Sequence, residues 1–285
     1  MKRTTIIIVI IILVLTLAQI SLASITSAAN FDVEALDVFI QREMRRHNLP
    51  GVAVAVTQGD EIVYMKGFGM AAKGQAMTPD TPMFIGSLSK SFTALAIMQL
   101  HEQGKLNIDE PVKTFLPEFV IADKEAMETI TVRNLLNHAS GLSDFSYIPQ
   151  HGNDISILDG VKELGKAELS APIGITFQYF NTNYAILGAV IEKVSGMPYG
   201  QYIENNIFSP LGMEDSYTEK SEAESAGLPS GYTSIFGFSV TRKQPFRQYD
   251  QPGGYLMMSV NDLSKYLRMQ LNNGSFNGAS LLGAD

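Results

Sequence analysis

A chain of 285 residues, 45% apolar and 18% charged, is globular and long enough for one large domain or two interleaved lobes. Its net charge of −8 makes a polyanion such as nucleic acid an unsuitable partner. With no cysteine, disulfides, thiolate metal sites, a cysteine nucleophile and a lipidated cysteine are excluded, and the four histidines show no H-E-x-x-H or other tight metal spacing.

Lys2 and Arg3 precede a run from Ile6 to Ala18 that is apolar except for Thr16, and the small residues Ser27, Ala28 and Ala29 stand before the polar Asn30 and Asp32. That is the tripartite order of a secretory signal cut after Ala29. Weakly apolar residues continue to Ile25, so an uncleaved membrane anchor is the other reading of residues 1–29. Either reading places the rest, 30–285, outside the cytoplasm, secreted or held on the outer face of the membrane.

Helical spacing of Leu36, Phe39, Ile40 and Met44 predicts a helix from Phe31 to His47, ended by Asn48-Leu49-Pro50. Gly51 to Gly69 then reads as a hairpin with its turn at Gln58-Gly59-Asp60. A polar loop through Pro79-Asp80-Thr81-Pro82 leads into a helix that carries Ser87 and runs to Gly104. From Leu106 to about Ser230 no strand pattern dominates. Short helical segments follow one another there: Val132 to His138, Ile155 to Leu164, Asn183 to Val194 and Tyr199 to Ile207.

Strand character returns near Gly231 to Val240 and at Gly254 to Met258, before a last helix from Asn261 to Leu271 capped by Ser259 with Asp262. The expected organisation is a sheet lobe of about 30–104 and 231–285 around a helical lobe of about 105–230. A front hairpin and one helix cannot cover a sheet alone. Strands from beyond the far end are needed, so C-terminal strands are expected to be missing from the chain.

Ser87-Leu88-Ser89-Lys90 places a hydroxyl and an amine three residues apart at the start of an apolar-periodic segment, on one face of a helix. A serine hydroxyl becomes a nucleophile when a base takes its proton, and an unprotonated lysine beside it serves. In the first turn, the helix macrodipole also favours developing negative charge. The G-x-S-x-G elbow of another hydrolase class is absent.

Four stretches in this order resemble the serine β-lactamase and penicillin-recognising enzyme superfamily, in its branch related to class C β-lactamases, D,D-peptidases and esterases. They are Pro79 to Lys90, ending in Phe84-Ile85-Gly86-Ser87-Leu88-Ser89-Lys90; Leu135-Leu136-Asn137-His138-Ala139-Ser140-Gly141-Leu142; Tyr179-Phe180-Asn181-Thr182-Asn183-Tyr184; and Pro210-Leu211-Gly212-Met213. The resemblance implies an α+β fold of the β-lactamase/transpeptidase type, an antiparallel sheet flanked by helices plus a helical lobe. It implies Ser87 as nucleophile and Lys90 as proton acceptor. Tyr179 and Asn181 match the second motif, Y-x-N. A tyrosine among ammonium groups is biased toward phenolate and relays a proton, while an asparagine suits holding Lys90 and a substrate amide.

The family's third motif, K-T-G or H-x-G, has no match after Tyr179. Its strand supplies an oxyanion-hole donor, and losing one such donor costs about 10²–10³ in rate. The resemblance implies an acyl-enzyme hydrolase that needs no cofactor or metal and acts on cell-wall D-Ala-D-Ala peptides, β-lactams or small esters. Membrane attachment would come through the leader. The alternative is a truncated, non-catalytic relative that binds cell-wall peptide or is inactive.

Beside these readings stand plainer ones. Ser87 also suits a helix cap with Lys90 solvated, and Tyr179 suits a core aromatic. His138, at the end of a predicted helix, suits a structural role satisfying carbonyls as donor or cation, in preference to a Ser–His pair. Ser259-Val260-Asn261 mimics the second motif but reads as a cap.

Overall fold

The computed structural model describes residues 32–143, 155–236 and 238–283, which fall in two compact units, Met1–Arg46 and His47–Asp285. The leader proposed for residues 1–29 lies outside the described residues. Helix α1 (Val33–His47) is capped by Asp32, whose Oδ1 accepts the Ala35 N–H at 2.9 Å. Of its apolar face Ile40 is buried, whereas Phe39 is half exposed beneath the Arg42 guanidinium.

The second unit opens with the hairpin that the alternating valines predict. Strands β1 (Gly51–Gln58) and β2 (Glu61–Ala72) pair antiparallel from Gly51 opposite Gly69 to Gln58 opposite Glu61. Strand β3 (Met83–Phe84) then leads into a single tight turn, Gly86–Leu88, and helix α2 (Ser89–Glu102). Gly86 has φ of +56°, a left-handed value that glycine adopts without Cβ strain, and this redirects the chain from strand to helix. Phe92, Ala96, Ile97 and Leu100 of α2 are wholly buried, making it the centre of the core.

Short helices such as Val132–Leu136 and Ile157–Lys162 lead to α3 (Asn181–Ser195), an almost uniformly apolar helix buried from Thr182 to Ile191. It packs on α2 and on the short helix Gln251–Gly254. Contact with the latter depends on Gly188, where an added Cβ would stand 2.3 Å from Pro252 Cγ.

Strand β4 (Ser216–Tyr217) is followed by a second hairpin, β5 (Gly231–Ile235) with β6 (Phe238–Arg242), whose strands pair only with each other among the described residues. The strand expected at Gly254–Met258 shortens to β7 (Met257–Met258), because Pro252 starts a helical turn that holds Gly254. β7 is the middle of a three-stranded antiparallel sheet, β3-β7-β4. Helix α4 (Val260–Leu271) follows, with Ser259 Oγ accepting the Asp262 N–H as its cap.

α4 packs across β1 and β2, an α+β arrangement like that implied by the family resemblance. Arg268 and Asn272 both donate to Asp60 Oδ1 at the hairpin turn, at 3.1 and 3.0 Å. Asp262, wholly buried, accepts from Asp215 N, Ser216 Oγ and Lys265 Nζ and so ties β4 to α4.

Candidate active site

The turn Gly86–Leu88 projects Ser87 at the surface, while Lys90, one turn on, is buried with 7% of its surface exposed. The two meet as the i, i+3 spacing requires: Lys90 Nζ donates to Ser87 Oγ at 3.3 Å. Nζ also donates to Asn181 Oδ1 at 2.9 Å and to the Gly253 carbonyl. Three acceptors around one nitrogen match the three N–H donors of an ammonium.

Tyr179 Oη donates to Ser87 Oγ at 2.8 Å, so two donors converge on the serine oxygen. Tyr179 lies on the segment entering α3, and Asn181 is that helix's first residue, which brings both over the Ser87 turn. The Lys90 ammonium lies 5.0 Å from the Tyr179 ring centroid and 5.5 Å from that of Tyr184. Ser87, Lys90, Tyr179 and Asn181 thus form one hydrogen-bonded cluster, open to solvent at Ser87 and Tyr179. Burial pushes the phenol of Tyr184 up to about 12, with a smaller contribution from Tyr179, and its hydroxyl donates to the Leu136 carbonyl.

The stretch Asn137 to Gly141 clamps the segment carrying Tyr179. His138 has φ of +56°, and its carbonyl accepts the Gln178 N–H while its Nδ1 accepts the Phe180 N–H at 3.2 Å. Its ring stacks on Tyr179 with centroids 4.6 Å apart, and Ser140 donates to Asn183 at the second residue of α3's buried stretch. Burial, and then the Lys90 charge, pull His138 from 6.5 down to about 4. The role is structural as expected, but its polarity is the reverse: a neutral ring that accepts, in place of a cation that donates.

This has a pH signature. A base held below its unfolded value resists protonation in the fold, so His138 contributes stability present above about pH 6.5 and lost progressively toward pH 4. A shift of that size corresponds to about 3 kcal/mol. Chemical denaturation at pH 7.5 and 4.5 is expected to show a larger acid loss in the wild type than in His138→Asn, and equal losses would contradict it.

Sequence reasoning missed the Gly253 carbonyl. It is brought to Lys90 by contacts that carry no motif: Thr93 Oγ1 donates to the Pro252 carbonyl and accepts from Tyr199, each at 2.8 Å, and Ser89 Oγ accepts the Leu256 N–H at 3.1 Å. Ser259 and Asn261, the apparent copy of the second motif, lie away from this cluster; Ser259 caps α4, and Asn261 donates to Asp80.

The β-lactamase family model matches residues 36–284, nearly the whole chain. The chain belongs to the β-lactamase family. This β-lactamase-family chain is 30% identical over 251 residues to Protein flp of Staphylococcus aureus strain N315, covering 87% of itself and 50% of that protein. To Penicillin-binding protein 4 of Amycolatopsis lactamdurans it is 31% identical over 238 residues, covering 80% of itself and 61% of the relative. It spans about half the length of the S. aureus relatives it matches.

Among solved structures, the octameric penicillin-binding protein homologue from Pyrococcus abyssi superposes with a TM-score of 0.76 at 34% identity, over 89% of this chain and 58% of that one. EstCE1, a hydrolase with promiscuous acyltransferase activity, shares the fold at a TM-score of 0.72 and 22% identity, over 86% and 72%. The family is one of serine hydrolases that includes β-lactamases and penicillin-binding proteins.

Proposed function

We propose that the chain is the hydrolytic core of an extracytoplasmic serine acyl hydrolase, related to class C β-lactamases, D,D-peptidases and esterases. The observation that carries this is the convergence of Lys90 Nζ and Tyr179 Oη on Ser87 Oγ, at 3.3 and 2.8 Å. Of Lys90 and Tyr179, the one that is deprotonated serves as the base. That site takes the Ser87 proton as Oγ bonds to the substrate carbonyl carbon.

The Ser87 backbone N–H, at the start of a helical turn, faces the growing oxyanion. Tyr179 then gives the proton to the departing nitrogen or oxygen as its bond to the acyl carbon breaks. Water cleaves the acyl-enzyme by the reverse transfers. Asn181, whose oxygen is engaged by Lys90, presents its NH₂ to a substrate carbonyl. The exposed Leu88, next to Ser87, and Phe177, two residues before Tyr179, offer apolar surface to an acyl chain.

Substrates of this chemistry are D-Ala-D-Ala peptides, β-lactams and small esters, and the names of two penicillin-binding relatives support penicillin as a probe. The basic-then-apolar leader supports export. No helix among the described residues is long and apolar enough to cross a membrane, so attachment, where it occurs, is assigned to that leader. Intact-mass analysis after treatment with a fluorophosphonate or penicillin is expected to show one adduct, absent from Ser87→Ala. Labelling that survives the substitution removes Ser87 as the nucleophile, and labelling that never appears favours non-catalytic binding.

A further inference from the structure

For a chain of net charge −8, the second hairpin gathers an unexpected density of cations. Beside β5 and β6 lies a recess of about 820 Å³ bordered by Lys220, Tyr232, Arg242, Lys243, Gln244 and Phe246. Gly231 lets its walls close up, since a Cβ there would stand 2.7 Å from Gln244 Cγ. Lys220 Nζ is fixed by donating to the Gln244 carbonyl at 2.9 Å, and Glu224, 3.3 Å away, offsets part of its charge. Arg242 and Lys243 are exposed and have no ion pair among the described residues.

The recess is joined to the Ser87 turn by a row of rings. Phe246 stands edge-on to Tyr255 at 5.8 Å, and Tyr255 edge-on to Phe84 at 5.9 Å. Gly254, beside Tyr255, lies against Gly86, and Gly253 holds Lys90. The chain that walls the recess therefore also completes the lysine's surroundings. A substrate with its carbonyl at Ser87 has an aromatic path leading to unpaired cations.

We propose that this recess is a subsite for a substrate tail that is apolar along its length and ends in a carboxylate. The proposal rests on Ser87 being the nucleophile and adds the chemical class of what it acylates. Tyr255 and Phe246 cover the apolar stem, and the planar guanidinium of Arg242 matches a carboxylate two N–H groups at a time. Concentrated positive charge on an acidic surface also draws anionic substrates to this side of the molecule.

Two 4-nitrophenyl esters test it, one of heptanoic acid and one of heptanedioic acid with its far carboxylate free. The carboxylate ester is expected to be hydrolysed about five- to ten-fold faster in kcat/KM at low salt, as two exposed ion pairs allow. The preference is expected to shrink to about two-fold or less in about 1 M salt and in the double variant Arg242→Gln/Lys243→Gln. Equal rates in the wild type at low salt overturn the subsite. If hydrolysis of both esters is then lost in Ser87→Ala, the serine hydrolase reading still stands.

Should neither ester turn over, calorimetric titration of the Ser87→Ala protein with heptanoic anilide and with heptanedioic mono-anilide decides the matter without catalysis. About five-fold tighter binding of the carboxylate, lost in the added Arg242→Gln/Lys243→Gln background, supports the subsite, and equal binding overturns it.

Discussion

Lys90→Met is expected to slow acylation of Ser87 by about 10³-fold or more, followed as adduct mass against time. Lys90 Nζ touches Ser87 Oγ and also lies over the Tyr179 ring, so one substitution removes two contacts. Methionine fills the buried stem without a charge. It leaves the Gly253 carbonyl and Asn181 Oδ1 without their donor, which costs about 1–3 kcal/mol of stability. A folded Lys90→Met protein that acylates within about ten-fold of wild type would remove Lys90 from the proton path. Circular dichroism and the denaturation midpoint separate this from simple loss of fold.

Tyr179→Phe is expected to slow turnover of an alkyl ester or amide by about 10²-fold or more, with stability changed by no more than about 0.5 kcal/mol. Phenylalanine keeps the ring on His138 and over Lys90 and deletes only the hydroxyl on Ser87. The size of the loss depends on the leaving group. A 4-nitrophenolate departs without a proton, so its ester gives up only Tyr179's help to Ser87. An alkoxide or amine must be protonated as it leaves and gives up both. The same loss for both leaving groups would assign Tyr179 to positioning alone.

Much of this centre was legible in the chain because its chemistry is carried by side chains at fixed intervals. Ser87 and Lys90 are one helical turn apart, and Tyr179 and Asn181 flank a single residue at a helix start, so each pair is oriented locally. The hairpin from Gly51 and the cap at Ser259 were legible for the same reason: valine alternation and a serine three residues before an acid act over a few bonds.

What was not legible depends on distant backbone. The Gly253 carbonyl is an acceptor that every residue owns, and it is brought to the lysine by the packing of Gly188 on Pro252 and by the Thr93–Pro252 and Ser89–Leu256 bonds. His138 was placed correctly as structural, yet its polarity follows from burial beneath Tyr179, which a single sequence does not display. The short reach of β7, too, was set by one proline that turns Gln251–Gly254 into a helix.

The link between Lys90 and Gly253 joins positions 163 residues apart. While the protein is being made, the lysine and serine leave the ribosome well before the carbonyl that anchors them. At about 5–20 residues per second that interval is on the order of ten seconds. A nascent chain carrying residue 90 but not residue 253 lacks the third acceptor and the wall behind it. On the proposed mechanism, acylation waits for these slower long-range contacts, and shortening the chain before residue 253 should silence it however intact the nucleophile's own turn remains.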